Sequence, residues 1–404
     1  FFLRRRFQGD ALYSALLRAY VAELLSEGHY LEIFIEGGRS RTGRVLHPKL
    51  GILSVVADLA AQGEVPPVHV VPVSIGYERL VELPSVTREL AGARKRPESV
   101  GGILRATRVL RSNRGYGFLN LQFGEPVDVR AFLAERQYAD DTAPPDVRHR
   151  AIRALGYHPL TAAGEVTAVT APALCAAALL SPGTLGVPRA PHARIIQLIA
   201  TAATGNGARF VSGIWKEGDR ALGAEGLDRA IELLARDDAV SVMGSGDDRI
   251  YVAEGHARIR LEYYKNLLIQ HVLRPSLMSV VLRAMSGERS APITRESLLG
   301  ASRFVLSLVR LHFVAHAGYG RDQVILQSLR EVAELGLASL DEDTGLIRVD
   351  PEAGETLDLL AGLVEAPIEA YSASARALLQ LRSGPRSRAQ LEACLLYTSP
   401  SPRD

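Results

Sequence analysis

Cysteine is nearly missing from this chain: Cys175 and Cys394 are the only two in 404 residues. That number excludes a disulfide framework, and neither lies near enough in sequence to a histidine to suggest a metal-ligand cluster. A reducing, cytosol-facing location is the default such scarcity implies. Long apolar runs are missing too. The longest, 166–180, is rich in Ala and Thr and interrupted by Pro172, short of the roughly twenty residues a spanning helix needs. Net charge is close to zero at +2, although residues 1–130 hold eighteen Lys and Arg against thirteen Asp and Glu, so the basic surplus sits in the first third. Phe1 is preceded by no initiator methionine and followed by no signal-peptide pattern, so the natural N-terminus is expected to lie upstream. At the other end, 395–404 (LLYTSPSPRD) has no periodicity and closes on a Ser-Pro repeat; it reads as a non-native tail.

What is present is enough apolar material, 47%, for two domains with cores of their own. The first third alternates between the two hydrophobic periods, which predicts an α/β fold of helices layered on a sheet. Asp10 is a candidate N-cap, and Tyr13, Leu16, Leu17, Tyr20 and Leu24 mark a helical face that Gly28 ends. A strand is predicted at 31–35, a second helix at 49–62, a buried strand at 68–75, an amphipathic helix through Ile103, Leu104, Thr107 and Leu110, and a last strand at 116–123. These make up a domain over 1–130. Residues 131–165, with Asp140, Asp141, Pro144 and Pro145 close together, read as a linker region.

From 166 to 390 the pattern is mainly helical with short hairpins. Two helix-then-hairpin units, 226–253 and 322–349, share the outline of winged helices. This half is slightly acidic, whereas a winged helix on DNA needs a basic reading helix, so a helical companion domain without nucleic acid is the favoured reading. Residues 261–285 form a long apolar stretch with Pro275 as an expected break. Core packing and contact with lipid or an acyl chain both fit its composition.

The most informative segment is FIEGGRSRTGR at 34–44. Gly37 and Gly38 allow sharp turning and close approach of backbone to a ligand, while Arg39, Arg41 and Arg44 supply planar forks suited to phosphate oxygens. Ser40 and Thr42 add hydroxyls, and Glu36 is the one carboxylate, able to orient an arginine or accept from a ligand hydroxyl. The spacing matches neither a GxxxxGK[ST] nucleotide loop nor a GxSxG elbow. Arg4, Arg5 and Arg6 form a second basic element, and VVPVSIGYE at 70–78 is an apolar strand whose Pro72 implies an edge or a bulge. Between Arg88 and Arg114 there are eight Lys or Arg against two Glu, a charge density that would favour an anionic bilayer.

FFLRRRF at 1–7, FIEGGRSRTGR at 34–44 and VVPVSIGYE at 70–78, in that order, resemble the second, third and fourth sequence blocks of the glycerol-phosphate acyltransferases, most closely the bacterial inner-membrane type. Residues 88–126 and YYKNLLIQHVLRPSLM at 263–278 extend the likeness. The resemblance implies a glycerol-phosphate-acyltransferase-like layered sheet and helices, in part. It also implies a glycerol 3-phosphate pocket lined by Arg4, Arg5, Glu36, Gly38, Arg39, Ser40 and Arg41, with Pro72 in the fourth block. Chemistry in the family belongs to a histidine and an aspartate with four residues between them, upstream of the arginine block. None of the ten histidines here has Asp five positions later, so truncation is the expected reason. The implied reaction is direct acyl transfer from acyl-ACP or acyl-CoA, with no cofactor, at the cytoplasmic face of the bacterial inner membrane. Two alternatives stay open: a non-catalytic module gripping anionic lipid or phosphate, and a related enzyme acting on lysophosphatidate or dihydroxyacetone phosphate.

Overall fold

The computed structural model describes residues 9–38, 40–80, 83, 86–87, 117–211, 215–216, 221–287, 292–314, 321–385, 387–388 and 390. Arg4, Arg5, Arg39, the helix expected near 103–110, the whole basic stretch 88–114 and the tail 395–404 lie outside them.

The fold is a mixed α/β arrangement that becomes mainly helical toward the C-terminus. Helix α1 (Ala11–Ser26) starts where Asp10 accepts a hydrogen bond from the Tyr13 amide at 3.0 Å, satisfying one of the donors that a helix start leaves unpaired. It packs through Leu17 and Val21 against Val56 and Leu59 of α2 (Gly51–Ala61). Of the expected apolar face only Leu17 is buried, whereas Leu16 and Tyr20 are exposed. No strand forms at 31–35. Leu31 and Ile35 still turn inward onto neighbouring clusters. Among the described residues, however, no strand lies alongside to take ladder hydrogen bonds, and an alternating pattern without a partner does not make a sheet.

The strand expected over 68–75 is split by Pro72 into β1 (His69–Val70) and β2 (Val73–Tyr77). Proline has no amide to give a ladder; its carbonyl accepts from the Gly124 amide at 2.8 Å instead. Strands β3 (Leu119–Phe123) and β4 (Val127–Asp128) pair antiparallel with β2 and β1 respectively. One face of the β2–β3 pair is bare: Val73, Ile75 and Tyr77 oppose Phe123, Leu121 and Leu119, and all six are exposed.

The segment read as a linker is largely helical. After α3 (Val129–Ala134), a turn leads to α4 (Pro145–Val166), begun by prolines that preset the first turn. Ile152 and Leu155 join the core of α2. Asp58 of α2 accepts from Tyr138 at 2.5 Å and from both sides of the Arg148 guanidinium. Burial and this carboxylate push the Tyr138 hydroxyl up to about 12. Clustered Asp and Pro here mark helix entry and a turn.

One continuous core takes in residues from Leu83 to Val364. Strand β5 (Ala168–Val169) leads into α5 (Ala171–Leu180), buried at every position. Then come β6 (Gly186–Pro188), α6 (Arg189–Gly205), β7 (Arg209–Phe210), a small hairpin of β8 (Trp215–Lys216) and β9 (Ala221–Leu222), α7 (Ala224–Arg236), β10 (Ser241–Met243) and β11 (Ile250–Val252). Helix α8 (His256–Gly287) follows, then β12 (Ile293–Thr294), α9 (Arg295–Val309), α10 (Asp322–Glu334), β13 (Ala338–Leu340), β14 (Leu346–Val349), α11 (Gly354–Gly362) and α12 (Glu365–Leu379). Both expected helix-hairpin units are present. Each gains a third strand from before its helices, in orders β10-β11-β6 and β13-β14-β12, all antiparallel.

Helix α8 runs through Pro275 rather than breaking there. An interior proline costs about 3 kcal/mol, and here burial on both sides of it, from Leu261 to Leu282, outweighs that cost. Core packing is therefore what the 261–285 stretch does. No described helix is long and apolar enough to cross a membrane.

His192 of α6 is buried, with its Nε2 at 3.1 Å from the Cys175 carbonyl, to which it must donate, and its ring edge-on to Tyr251. Burial lowers its pKa to about 4. The folded state then holds it neutral while the unfolded chain, near 6.5, takes up a proton. Its contribution is whole above 6.5 and declines by up to about 3 kcal/mol as pH falls toward 4. We predict that the urea midpoint drops between pH 7.5 and pH 5 and that His192→Gln shrinks this difference; an equal drop in both proteins would place the acid sensitivity elsewhere.

Candidate anion-binding loop

The loop at 34–44 is closed on itself before it meets anything else. The Gly37 amide donates to the Phe34 carbonyl at 2.8 Å, and the Lys49 amide to the Ile35 carbonyl at 2.7 Å. Gly37 has φ +64°, and a Cβ there would come within 2.7 Å of the Lys49 side chain, so glycine is required by both conformation and space. Glu36 accepts from the Leu46 amide at 2.7 Å. Its pKa is raised by burial, an effect the Leu46 bond opposes. The carboxylate thus fastens the two ends of the loop together. Gly38 has open space around it and Arg41 is exposed, whereas the Ser40 hydroxyl is buried with no hydrogen-bond partner.

The far half of the loop sits on the C-terminal helices. Asn266 of α8 donates from Nδ2 to the Thr42 carbonyl at 2.7 Å. Gly43 has φ +76°, and a Cβ there would lie 2.3 Å from the Tyr263 carbonyl oxygen; nothing larger than glycine fits without movement of backbone. Arg44 lies 3.1 Å from Nδ1 of His312 and 5.1 Å over the Phe313 ring. Since a guanidinium only donates, Nδ1 accepts and the imidazole is neutral. Burial first, then Arg44, lower the pKa of His312. Burial also lowers that of Arg44, with Glu262 acting against it. Beside this pair, Lys265 is completely buried and held by Glu262 at 2.8 Å.

The structure therefore keeps Glu36, Gly38, Ser40 and Arg41 on one closed loop, while Arg4, Arg5 and Arg39 fall outside the described residues. Pro72 stands apart in the chain at the β1–β2 break, its ring against Gly124. No strand precedes the loop, which is seated on a long helix instead. Sequence reading missed Tyr263, Asn266, His312 and Phe313, more than 200 residues downstream. The available signal was polarity: Lys265 and Asn266 interrupt a stretch otherwise suited to a core. Among the described residues no group of three or more His, Cys, Asp and Glu is placed to hold a metal ion.

An arginine-bearing, glycine-hinged loop on an α/β unit is matched in residues 1–76 by a family described as Acyltransferase, which sets the class. Residues 87–397 match the family described as Glycerol-3-phosphate acyltransferase C-terminal region, and the chain belongs to the glycerol-3-phosphate acyltransferase family. A "Glycerol-3-phosphate acyltransferase" of Pasteurella multocida (strain Pm70) is 31% identical over 321 residues, 78% of this chain and 38% of that protein. One of Haemophilus ducreyi (strain 35000HP) is 28% identical over 389 residues, 94% of this chain and 46% of that protein. One of Actinobacillus succinogenes (strain 130Z) is 47% identical over 133 residues, 33% of this chain and 16% of that protein. The chain thus spans less than half the length of these relatives.

Gly43→Ala is expected to destabilise the protein by at least about 1 kcal/mol, because it adds a clash to an unfavourable φ. Gly38→Ala, in open space, should stay within about 0.5 kcal/mol. Urea denaturation of both variants checks this; equal effects would mean that Gly43 carries no special constraint.

Proposed function

We propose that the chain is part of an enzyme that transfers an acyl chain from acyl-ACP or acyl-CoA to the sn-1 hydroxyl of glycerol 3-phosphate, giving lysophosphatidate for phospholipid synthesis. The observation that carries this reading is the closed arginine loop, held by Glu36 at its base and by Asn266 at its far side, in a member of this family. Arg39 and Arg41, with Arg4 and Arg5, grip the phosphate; Gly38 and Ser40 let the ligand approach and hydrogen-bond to the loop; Pro72 shapes the strand of the fourth block. Holding the phosphate fixes the hydroxyl relative to the thioester, so the arginines lower the entropic part of the barrier.

The proton of that hydroxyl goes to a histidine oriented by an aspartate, as the oxygen attacks the thioester carbonyl and the thiol leaves. These 404 residues contain no such pair at the required spacing, so the proposed enzyme draws it from residues outside them. His312 does not take its place, because its Nδ1 lone pair is engaged by Arg44.

The second partner in this reading is an anionic membrane surface, at the cytoplasmic face of the bacterial inner membrane. The bare apolar face of β2 and β3 supports it, together with the Lys and Arg excess between residues 88 and 114. A non-catalytic anion-binding module would use the same features. The two differ in turnover. In a protein that includes the histidine and aspartate, Arg39→Ala is expected to raise KM for glycerol 3-phosphate by tenfold or more, with a smaller change in kcat. Unchanged KM would remove the phosphate-gripping role, and absence of acylation by the unmutated protein would favour the binding module.

A further inference from the structure

Asn266 of α8 is 3% exposed. A buried carboxamide costs free energy unless both its donor and its acceptor are matched. Here Nδ2 reaches the Thr42 carbonyl at 2.7 Å, while Oδ1 is buried without a partner. Two further atoms share this fate on the loop that Asn266 holds: the Ser40 hydroxyl and Nε of Arg44. Each such atom costs roughly 1–3 kcal/mol. A joint shaped only for stability would carry apolar residues here. Unmatched buried polar atoms gathered at one contact are more in keeping with function than with packing.

Arg44 supports the same conclusion by what it does not do. Its guanidinium points away from a ligand-gripping role, since it donates to His312 at 3.1 Å, lies over Phe313 and is attracted by Glu262. It is an anchor for the end of the loop, and His312 is the group that receives it. Gly43, between the two anchored residues, lets the backbone come down onto the Tyr263 carbonyl.

Resting on the function proposed above, we propose that Asn266 and His312 are positioning residues for the anion-binding loop: by holding Thr42 and Arg44 they keep residues 36–46 in the shape that binds glycerol 3-phosphate. The C-terminal helical region is then a working part of the substrate site.

The test uses the 404-residue chain, with calorimetric titration of glycerol 3-phosphate and hydrogen exchange at the amides of residues 36–46. Asn266→Leu and His312→Leu are expected to weaken binding at least tenfold and to speed exchange in that segment. His312→Gln retains an acceptor for Arg44 and is expected to restore binding to within about threefold. Asn266→Asp retains the shape but loses the donor, and should behave like Asn266→Leu. Unchanged binding and exchange in both Leu variants would overturn the proposal, as would a loss in His312→Gln as large as in His312→Leu. If the unmutated chain does not bind glycerol 3-phosphate, the substrate reading fails. The exchange rates then decide this proposal alone: acceleration in the Leu variants upholds it and unchanged protection overturns it.

Discussion

The register of α8 is the constraint on which the rest of the molecule depends. Apolar side chains such as Leu261, Leu268, Ile269 and Val272 bury it, but greasy contacts tolerate sliding and rotation. Its polar residues do not. Tyr264 donates to Asp237 at 2.6 Å, His271 lies 2.8 Å from the Thr167 carbonyl, Asn266 binds Thr42, and Arg274 pairs with Glu331 at 2.8 Å. Each reaches a different element of the chain. Because a buried polar group without its partner is costly, these contacts select one axial position and one rotation of the helix among those the apolar surface would accept.

That selection reaches the N-terminal unit by two routes. One is the loop, fixed at Thr42. The other is β2: Arg79, two residues past its end, donates to Asp237 at 2.7 Å, the same carboxylate that receives Tyr264, and Ser74 shares a 2.7 Å hydrogen bond with Thr167, whose carbonyl faces His271. The Arg79–Asp237 pair is nearly dry, with side-chain exposures of 11% and 3%, so breaking it from one side would strand a buried charge. The loop and the strand bearing the fourth sequence block are thus both referred to a single helix, and the distance between them is set by α8 rather than by the short sheet.

Much of the local grammar was readable in advance. Asp10 caps α1, Pro72 breaks the strand that contains it, and Gly37, though not Gly38, occupies a position with positive φ. These are short-range effects, decided by the residue and its near neighbours. The failures are all long-range. Residues 31–35 have the alternation of a strand, but no strand pairs with them. Pro275 should end a helix, and does not, because the packing of α8 exceeds its cost. Residues 131–165 read as a linker region, whereas most of them are helical and Arg148 among them binds Asp58. The loop itself was found from glycine and arginine spacing, whereas of its anchors only Asn266 leaves a local trace, as a polar residue in an apolar stretch, and nothing local ties either to the loop.

The two helix-hairpin units show how the C-terminal half builds its core. Their matching strand orders would suit a nucleic-acid reader if the last helix of each were free. Instead α7 buries Ala230, Ile231, Leu233 and Leu234, and α10 buries Ile325, Leu329 and Val332. Glu331 of α10, held near the Arg274 guanidinium, is pushed up to about 7 by burial, with Arg274 opposing the shift. A carboxylate kept in so dry a place ties α10 to α8. Both α7 and α10 bury an apolar face in the shared core to which α5 and α8 also belong. Through the Arg274–Glu331 pair α10 is fastened to α8, and α8 is the helix that carries Asn266 to the loop.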